Sequence, residues 1–369
     1  MLMSLKQAKF QVLSNDVLPL SSEFIERLIE AYQAQERDRP SSLSSGGCWT
    51  DHGWQRNLAP LDEALAKGDA GRVMALLQLL FQTQCPYGIA MGKEELENIQ
   101  SSVKAIELYE DQWMRTLLLL GEALGTIPVE NPEVETPFRE LNVSTILSNI
   151  EAALGIKVDF PQYFGAFGCA VNDTVIPRIA FFHILAAALC SRRMMGKSSA
   201  CMVEVGGGFG GLLHFLSRLT TLNYTAFDVP AALVMQAAFT FIGSPHIAIQ
   251  LYGEKLDVVA PYQARFLPSW TLLENSTSDP ALPRLDLIIN QDTLADIDVR
   301  ESTQMLRKLI DVLDGSLISI GPDISFVSQK SAFQLRDMLT RQGLTFFDRA
   351  PFHVRPGYMQ EIYRHMPLM

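Results

Sequence analysis

Cysteine is scarce and scattered. The 369 residues hold five, Cys48, Cys85, Cys169, Cys190 and Cys201, an odd number with no Cys-x-x-Cys pair. That pattern argues against a disulfide framework and against a thiolate zinc site. Cys190 and Cys201 sit in apolar runs and read as buried thiols. No His/Asp/Glu set has metal-ligand spacing, so no metal is expected. Positive charge is also short: 30 Lys and Arg face 41 Asp and Glu, for a net charge of −11. Nucleic acid needs clustered cations and is not an expected partner. The densest basic cluster, Arg192, Arg193 and Lys197, reads as the cationic last turn of a helix. Long apolar runs are missing too. The longest, from Ile179 to Cys190, contains His183 and falls short of the roughly 20 residues a membrane helix needs. Residues Met1 to Val12 carry Lys6 and Lys9 and lack the apolar centre of a secretory leader. The expectation is a cytoplasmic protein without a membrane partner. Repeats, heptads and low-complexity tracts are absent.

What remains is ordinary for a large globule: 48% hydrophobic and 19% charged residues, and a length that suits two domains. The chain is organised around Ser198 to Asp228. Cys201, Met202 and Val203 lead into Glu204 and Val205, which reads as a buried strand. Glycines follow at Gly206, Gly207, Gly208, Gly210 and Gly211. From Leu212 the apolar spacing becomes helical, through Leu213, Phe215, Leu216 and Leu219. A second strand, Tyr224 to Phe227, ends on Asp228. Strand, glycine turn, helix, strand and acid make the first half of a nucleotide-binding βαβ unit. Glycine lets backbone approach a ligand and supplies φ > 0 where the turn needs it. Asp228 lies 20 residues beyond Gly208, the distance at which a carboxylate meets a ribose diol. A turn without any ligand is the bland alternative. Glu204 bears on the ligand: a carboxylate at the strand end suits the α-ammonium of a methionine group and repels a pyrophosphate.

Upstream, Ser21-Ser22-Glu23-Phe24 opens a helix, and the polar stretch from Gln35 to Gly47 is a loop of lid length. Trp49 and Trp54 read as loop anchors, with ligand stacking as the rarer use. Helices are expected over 62–67 and 70–83, over 93–125 as one or two, and over 144–154. Pro128, Pro132 and Pro137 punctuate an acidic connector. The stretch 160–168 is aromatic and aperiodic, and an apolar helix from Pro177 to Met195 feeds the glycine turn. Gln162, Tyr163 and Phe164 are candidates for a pocket wall or for plain loop anchors. Downstream, Pro230 starts a crossover helix and Ile247 to Tyr252 is a third strand. Lys255 to Pro268 reads as irregular. Leu285 to Asn290 is a buried fourth strand, Gly315 to Gly321 a fifth, and Leu344 to Phe347 with Met359 to Tyr363 a late pair.

Ligands of open α/β sheets bind beyond the carboxyl ends of the strands. Those ends offer Glu204, Gly206, Gly208, Gly210, Asp228, Val229, Asn290 and Gln291 to a cofactor. Asp292 is either a proton acceptor for a substrate hydroxyl or the cap of the next helix. His353 and Tyr163 are further catalytic candidates, and Asp173 and Arg178 weaker ones. His183 and His214 read as structural.

From about Phe160 onward the chain resembles class I S-adenosylmethionine-dependent methyltransferases, and among them the sugar O-methyltransferase group. The matching pieces are Glu204-Val-Gly-Gly-Gly-Phe-Gly-Gly-Leu, Phe227-Asp228-Val-Pro-Ala-Ala-Leu, and Asp286-Leu-Ile-Ile-Asn-Gln-Asp-Thr-Leu-Ala-Asp-Ile. Gln291, Thr293, Leu294 and Ile297 depart from the family's usual fourth-strand end. The resemblance implies a Rossmann-like seven-stranded sheet over 159–369, a helical cap over 1–158, and S-adenosylmethionine as cofactor. It implies methyl transfer to a hydroxyl of a small molecule in a biosynthetic, secondary-metabolic pathway. Azetidine-2-carboxylate synthases share the look and cyclise the cofactor instead, using an aromatic pocket that holds the sulfonium. A non-catalytic scaffold is the third reading. Sequence leaves the oligomeric state open, a homodimer included.

Overall fold

The computed structural model describes residues 8–13, 18–40, 52–86, 91–128, 142–255, 262–273, 282–294, 297–323 and 332–365. Trp49, the Trp54 side chain, residues 41–47 of the polar loop, and 129–141 of the acidic connector lie outside this description.

The N-terminal part is helical with one small sheet. After β1 (Lys9–Val12), α1 (Ser22–Asp38) opens on Ser21, whose hydroxyl accepts from the Phe24 amide. Its buried stripe, Phe24, Ile25, Leu28, Ile29 and Tyr32, follows the helical period. α2 (His52–Lys67) and α3 (Ala70–Gln78) meet at left-handed Gly68 and the Asp69 cap. The segment from Lys93 divides into α4 (Lys93–Gln100) and α5 (Val103–Ala123), because Ser102 turns extended and caps the second helix. α6 (Val143–Leu154) runs from an Asn142 cap to left-handed Gly155. Next come β2 (Phe167–Val171), β3 (Thr174–Ile176) and α7 (Arg178–Arg193). β1 and β3 both pair antiparallel with β2. The β2–β3 hairpin turns on Asn172 and Asp173, both at positive φ. Sequence reading places no strand in this sheet, since its members are short and β1 finds its partner far along the chain.

The remaining chain alternates strand and helix: β4 (Ala200–Val205), α8 (Gly211–Leu219), β5 (Leu222–Asp228), α9 (Pro230–Gly243), β6 (Ala248–Leu251), β7 (Gln263–Pro268), β8 (Leu285–Gln291), α10 (Val299–Ile310), β9 (Leu313–Pro322), α11 (Ala332–Arg341), β10 (Leu344–Pro351) and β11 (Tyr358–His365). The sheet order is β6-β7-β5-β4-β8-β9-β11-β10. All neighbours are parallel until β11, which inserts antiparallel between β9 and β10. This is the doubly wound, class I methyltransferase arrangement that the sequence led us to expect, with one difference. Among the described residues the sheet has eight strands, not seven. The segment read as irregular supplies β7, which pairs with β5 and displaces β6 to the edge. Buried Ala264 and Phe266 alternate there with half-buried Gln263 and Arg265, a period-two signal too short to stand out.

The core lies on both sheet faces. One apolar cluster joins the N-terminal helices to α7, α8 and α9, and the other packs α10 against the sheet. Arg27 of α1 bridges to Glu254 beside the β6 edge at 2.8 Å. Trp113 of α5 donates to the Ile176 carbonyl at 2.7 Å. No helix among the described residues is long and apolar enough to cross a membrane.

Candidate functional site

Parallel pairing sets Val205, Asp228 and Gln291 at the same end of the sheet, the end where a doubly wound fold leaves its crevice. The turn after β4 holds Gly206, Gly208 and Gly210 at φ of 77°, 60° and 92°. Only glycine adopts such angles cheaply. Gly206 donates to the Phe227 carbonyl at 2.9 Å and Gly210 to the Gly207 carbonyl at 2.9 Å. A Cβ on Gly206 would overlap the Thr293 side chain, and one on Gly211 would overlap the His183 ring. A Cβ on Gly207 would lie 2.6 Å from Gln236 Oε1. The side chains that forbid a Cβ at these three positions thus come from the protein itself, where ligand approach was the expected reason.

Two carboxylates flank the turn. Glu204 is 1% and Asp228 4% exposed. The Tyr224 hydroxyl donates to Glu204 Oε2, and Gln291 Nε2 donates to Oε1 at 3.0 Å. Asp228 accepts from the Val229 amide at 2.8 Å, from Gln236 Nε2 at 2.8 Å, and from the Gly208 amide. Burial pushes both acids up to about 7, against the pull of their donors. The charge of Glu204 raises Asp228 further. Among the described residues no arginine, lysine or histidine pairs with either. Gln236 is fully buried, and its Oε1 has no hydrogen-bond partner.

The end of β8 is built differently. Asn290 is buried and folds back: its Oδ1 accepts from the Thr293 and Leu294 amides at 3.1 and 2.8 Å, and its Nδ2 donates to Ser319 at 3.2 Å. It shapes the turn, with its carbonyl oxygen fully engaged there. Asp292 stands at φ 64°, strained for a non-glycine residue. Its Oδ2 accepts from Arg355 at 2.6 Å, and burial still raises its pKa despite that cation. It caps no helix, for α10 is capped by Asp298. Arg355 comes from the β10–β11 turn and lies 3.6 Å over the Tyr358 ring and 5.6 Å over Phe182 of α7. His353, the expected residue of that turn, is exposed. Arg355, two residues on, is the one that reaches the strand ends.

α7 forms the adjoining wall. His183 packs edge-on against Phe209 of the glycine turn, with centroids 5.2 Å apart. Both its ring nitrogens are buried without a hydrogen-bond partner. Burial, with Arg355 and His214 nearby, drives its pKa down to about 3, so the ring is neutral.

Three expected wall residues take other work. Gln162 donates to the Phe160 and Val175 carbonyls at 2.7 and 3.0 Å and accepts from the Val175 amide at 2.8 Å, which clamps the small sheet instead of facing a cofactor. Phe164, 1% exposed, joins Phe81, Phe160, Phe209 and Phe239 in an aromatic core. Tyr163 packs half-buried at the rim of that cluster. Asp173 sits in the β2–β3 turn, and Arg178 pairs with Gln112 at 2.9 Å. No group of three or more metal-ligating side chains occurs among the described residues.

No family model and no curated protein matches the sequence. Similar solved structures include a magnesium protoporphyrin IX methyltransferase from Synechocystis PCC 6803 with bound S-adenosylmethionine. It is 17% identical over 50% of this chain and 80% of that one, at a TM-score of 0.35. A glycopeptide N-methyltransferase is 11% identical over 50% and 90%, at 0.36. The CcbJ methyltransferase from Streptomyces caelestis is 12% identical over 50% and 90%, at 0.36. At these values the likenesses carry no weight for activity, and the site's geometry has to speak for itself.

Proposed function

We propose that the chain binds S-adenosylmethionine at the ends of β4 and β5 and transfers its methyl group to a hydroxyl of a small molecule. The observation that carries this reading is the pair of buried carboxylates, Glu204 and Asp228, beside the glycine turn without a cation. Buried acids in that position are costly unless a positive charge compensates them. A ligand bearing an ammonium and a sulfonium brings that charge, and its ribose brings a diol. The residues fit the diol. A carboxylate has about four lone-pair sites, and Asp228 accepts three donors. The unpartnered Oε1 of Gln236 is a second acceptor beside it.

When bound, the cofactor supplies an electrophilic methyl group. The chain supplies placement, Asp228 and Gln236 for the sugar and Glu204 for the cationic end, with the acceptor hydroxyl brought in line beyond the strand ends, where proximity lowers the barrier. In this reading residues 159–369 form the catalytic domain and 1–158 its helical cap. Asp292 bonds Arg355 through Oδ2 while its buried Oδ1 has no partner, so it is the candidate base of the two; His353 faces solvent. Cofactor cyclisation is the less supported alternative, because it asks for an aromatic wall from the Tyr163–Phe167 loop, and Phe164 and Phe167 are both 1% exposed in the core. Calorimetry with S-adenosylmethionine and S-adenosylhomocysteine tests the reading. Both are expected to bind the wild type, and Asp228→Ala to weaken both. Mass spectrometry on protein plus S-adenosylmethionine alone should show no methylthioadenosine. Its appearance would favour cyclisation, and an absence of any binding would leave the scaffold.

A further inference from the structure

One side chain has no task in that reading. His183 presents two ring nitrogens, both buried and both without a partner. Native proteins leave few such groups unpaired, because each costs its desolvation. The ring is fixed in place: Phe209 meets it edge-on, and Gly211, the first residue of α8, is bare of a side chain where the ring approaches. Gly210 supplies no side-chain cap to α8, so the positive end of a helix dipole starts beside this imidazole. Arg355 also lies over Phe182 of α7, its charge already met by Asp292. The strand-end crevice is therefore polar in the electrical sense. Its α7–α8 side is positive or neutral, and its β4–β5 side carries Glu204 and Asp228.

A zwitterionic ligand matches that division. We infer that His183 donates a ring N–H to the carboxylate of the ligand's amino-acid end, beside the uncapped start of α8. The assignment rests on the S-adenosylmethionine reading above and adds the residue that recognises one end of it. A neutral imidazole suits the task, since it offers a donor without a second fixed cation beside Arg355.

S-Adenosylhomocysteine carries the amino-acid end, and 5′-methylthioadenosine lacks it. Calorimetry on the full chain should find that the wild type prefers the first. His183→Ala should weaken S-adenosylhomocysteine about 10- to 100-fold, the range for one hydrogen bond to a charged group. The same variant should change 5′-methylthioadenosine less than about threefold, within the scatter of a remote substitution. His183→Gln, which restores an N–H donor, should recover part of the loss. Equal affinity of His183→Ala and wild type for S-adenosylhomocysteine would overturn the inference, as would a parallel loss of both ligands. Should these variants fail to fold, nitrogen-15 spectra of the wild-type imidazoles decide. S-Adenosylhomocysteine must move the His183 signals and 5′-methylthioadenosine must leave them in place. Binding of both ligands with an indifferent His183 spares the cofactor reading and removes only this residue. Binding of neither removes both.

Discussion

Two neighbouring regions at the strand ends carry acids and treat them in opposite ways. At β4 and β5, Glu204 and Asp228 are buried among neutral donors, and burial raises both toward neutrality. At β8, Asp292 is less buried and bonded to the guanidinium of Arg355. The first region is short of a positive charge, and the second already has one. Carboxyl groups stand in both; the surroundings decide which lacks a cation and which has one. The regions touch where Gln291 donates to Glu204 and where Thr293 of the β8 turn packs on bare Gly206.

That contact gives the largest test. Gly206→Ala adds a Cβ at φ 77°, into the Thr293 side chain. Left-handed strain and overpacking together predict a loss of roughly 2–5 kcal/mol. Gly253→Ala is the control: its φ is 85°, but its nearest neighbour is Ala34 Cβ at 3.8 Å. It should lose only the conformational part, about 1–2 kcal/mol. Urea denaturation of the two variants separates the effects. Equal losses would mean that the glycine turn and the β8 turn are not in contact.

The next test strips the cation from the second region. Arg355→Ala leaves Asp292 without its partner, and a partly exposed pair of this kind should cost roughly 1–3 kcal/mol. Adding Asp292→Asn should recover part of the loss, because the uncompensated charge goes with it. A double variant no more stable than Arg355→Ala would show that the pair contributes nothing as a pair.

Much of the first region was legible in the sequence and little of the second. Glycine spacing, the change of apolar period at Leu212, and Asp228 lie within one continuous stretch, so a local pattern contains them. Arg355, Gln236 and His183 reach the same crevice from elements that only the folded sheet brings together. His183 lay in an apolar helix and read as core, which is the usual fate of such a histidine. In the folded chain Gly207 and Gly211 have no positive φ, and it is Gln236 and His183 that exclude a side chain there. His353 and Arg355 share one turn, and a two-residue difference there decides which faces solvent. Asn290 and Gln162 spend their polar groups on backbone, Asn290 on the turn it opens and Gln162 on the small sheet.

The smallest expected effect bears most directly on the contrast between the regions. Glu204 and Asp228 have folded-state pKa values near 7, above the ordinary carboxylate values they take when unfolded. Between those limits the native chain holds more protons than the unfolded one, so stability falls as pH rises from 5 to 8. Glu204→Gln removes one of the two groups and lowers the field on the other. It should therefore gain on the wild type as pH rises, by about 1 kcal/mol across that range, a fraction of the limiting slope for one proton. Asp292→Asn should trend in the same direction, because burial raises that carboxyl too, but from a lower starting stability, since it deprives Arg355 of its partner. Thermal midpoints of the three proteins at four pH values would read this out. A difference between wild type and Glu204→Gln that stays flat with pH would mean that Glu204 is already ionised, and that the first region holds a compensating charge of its own.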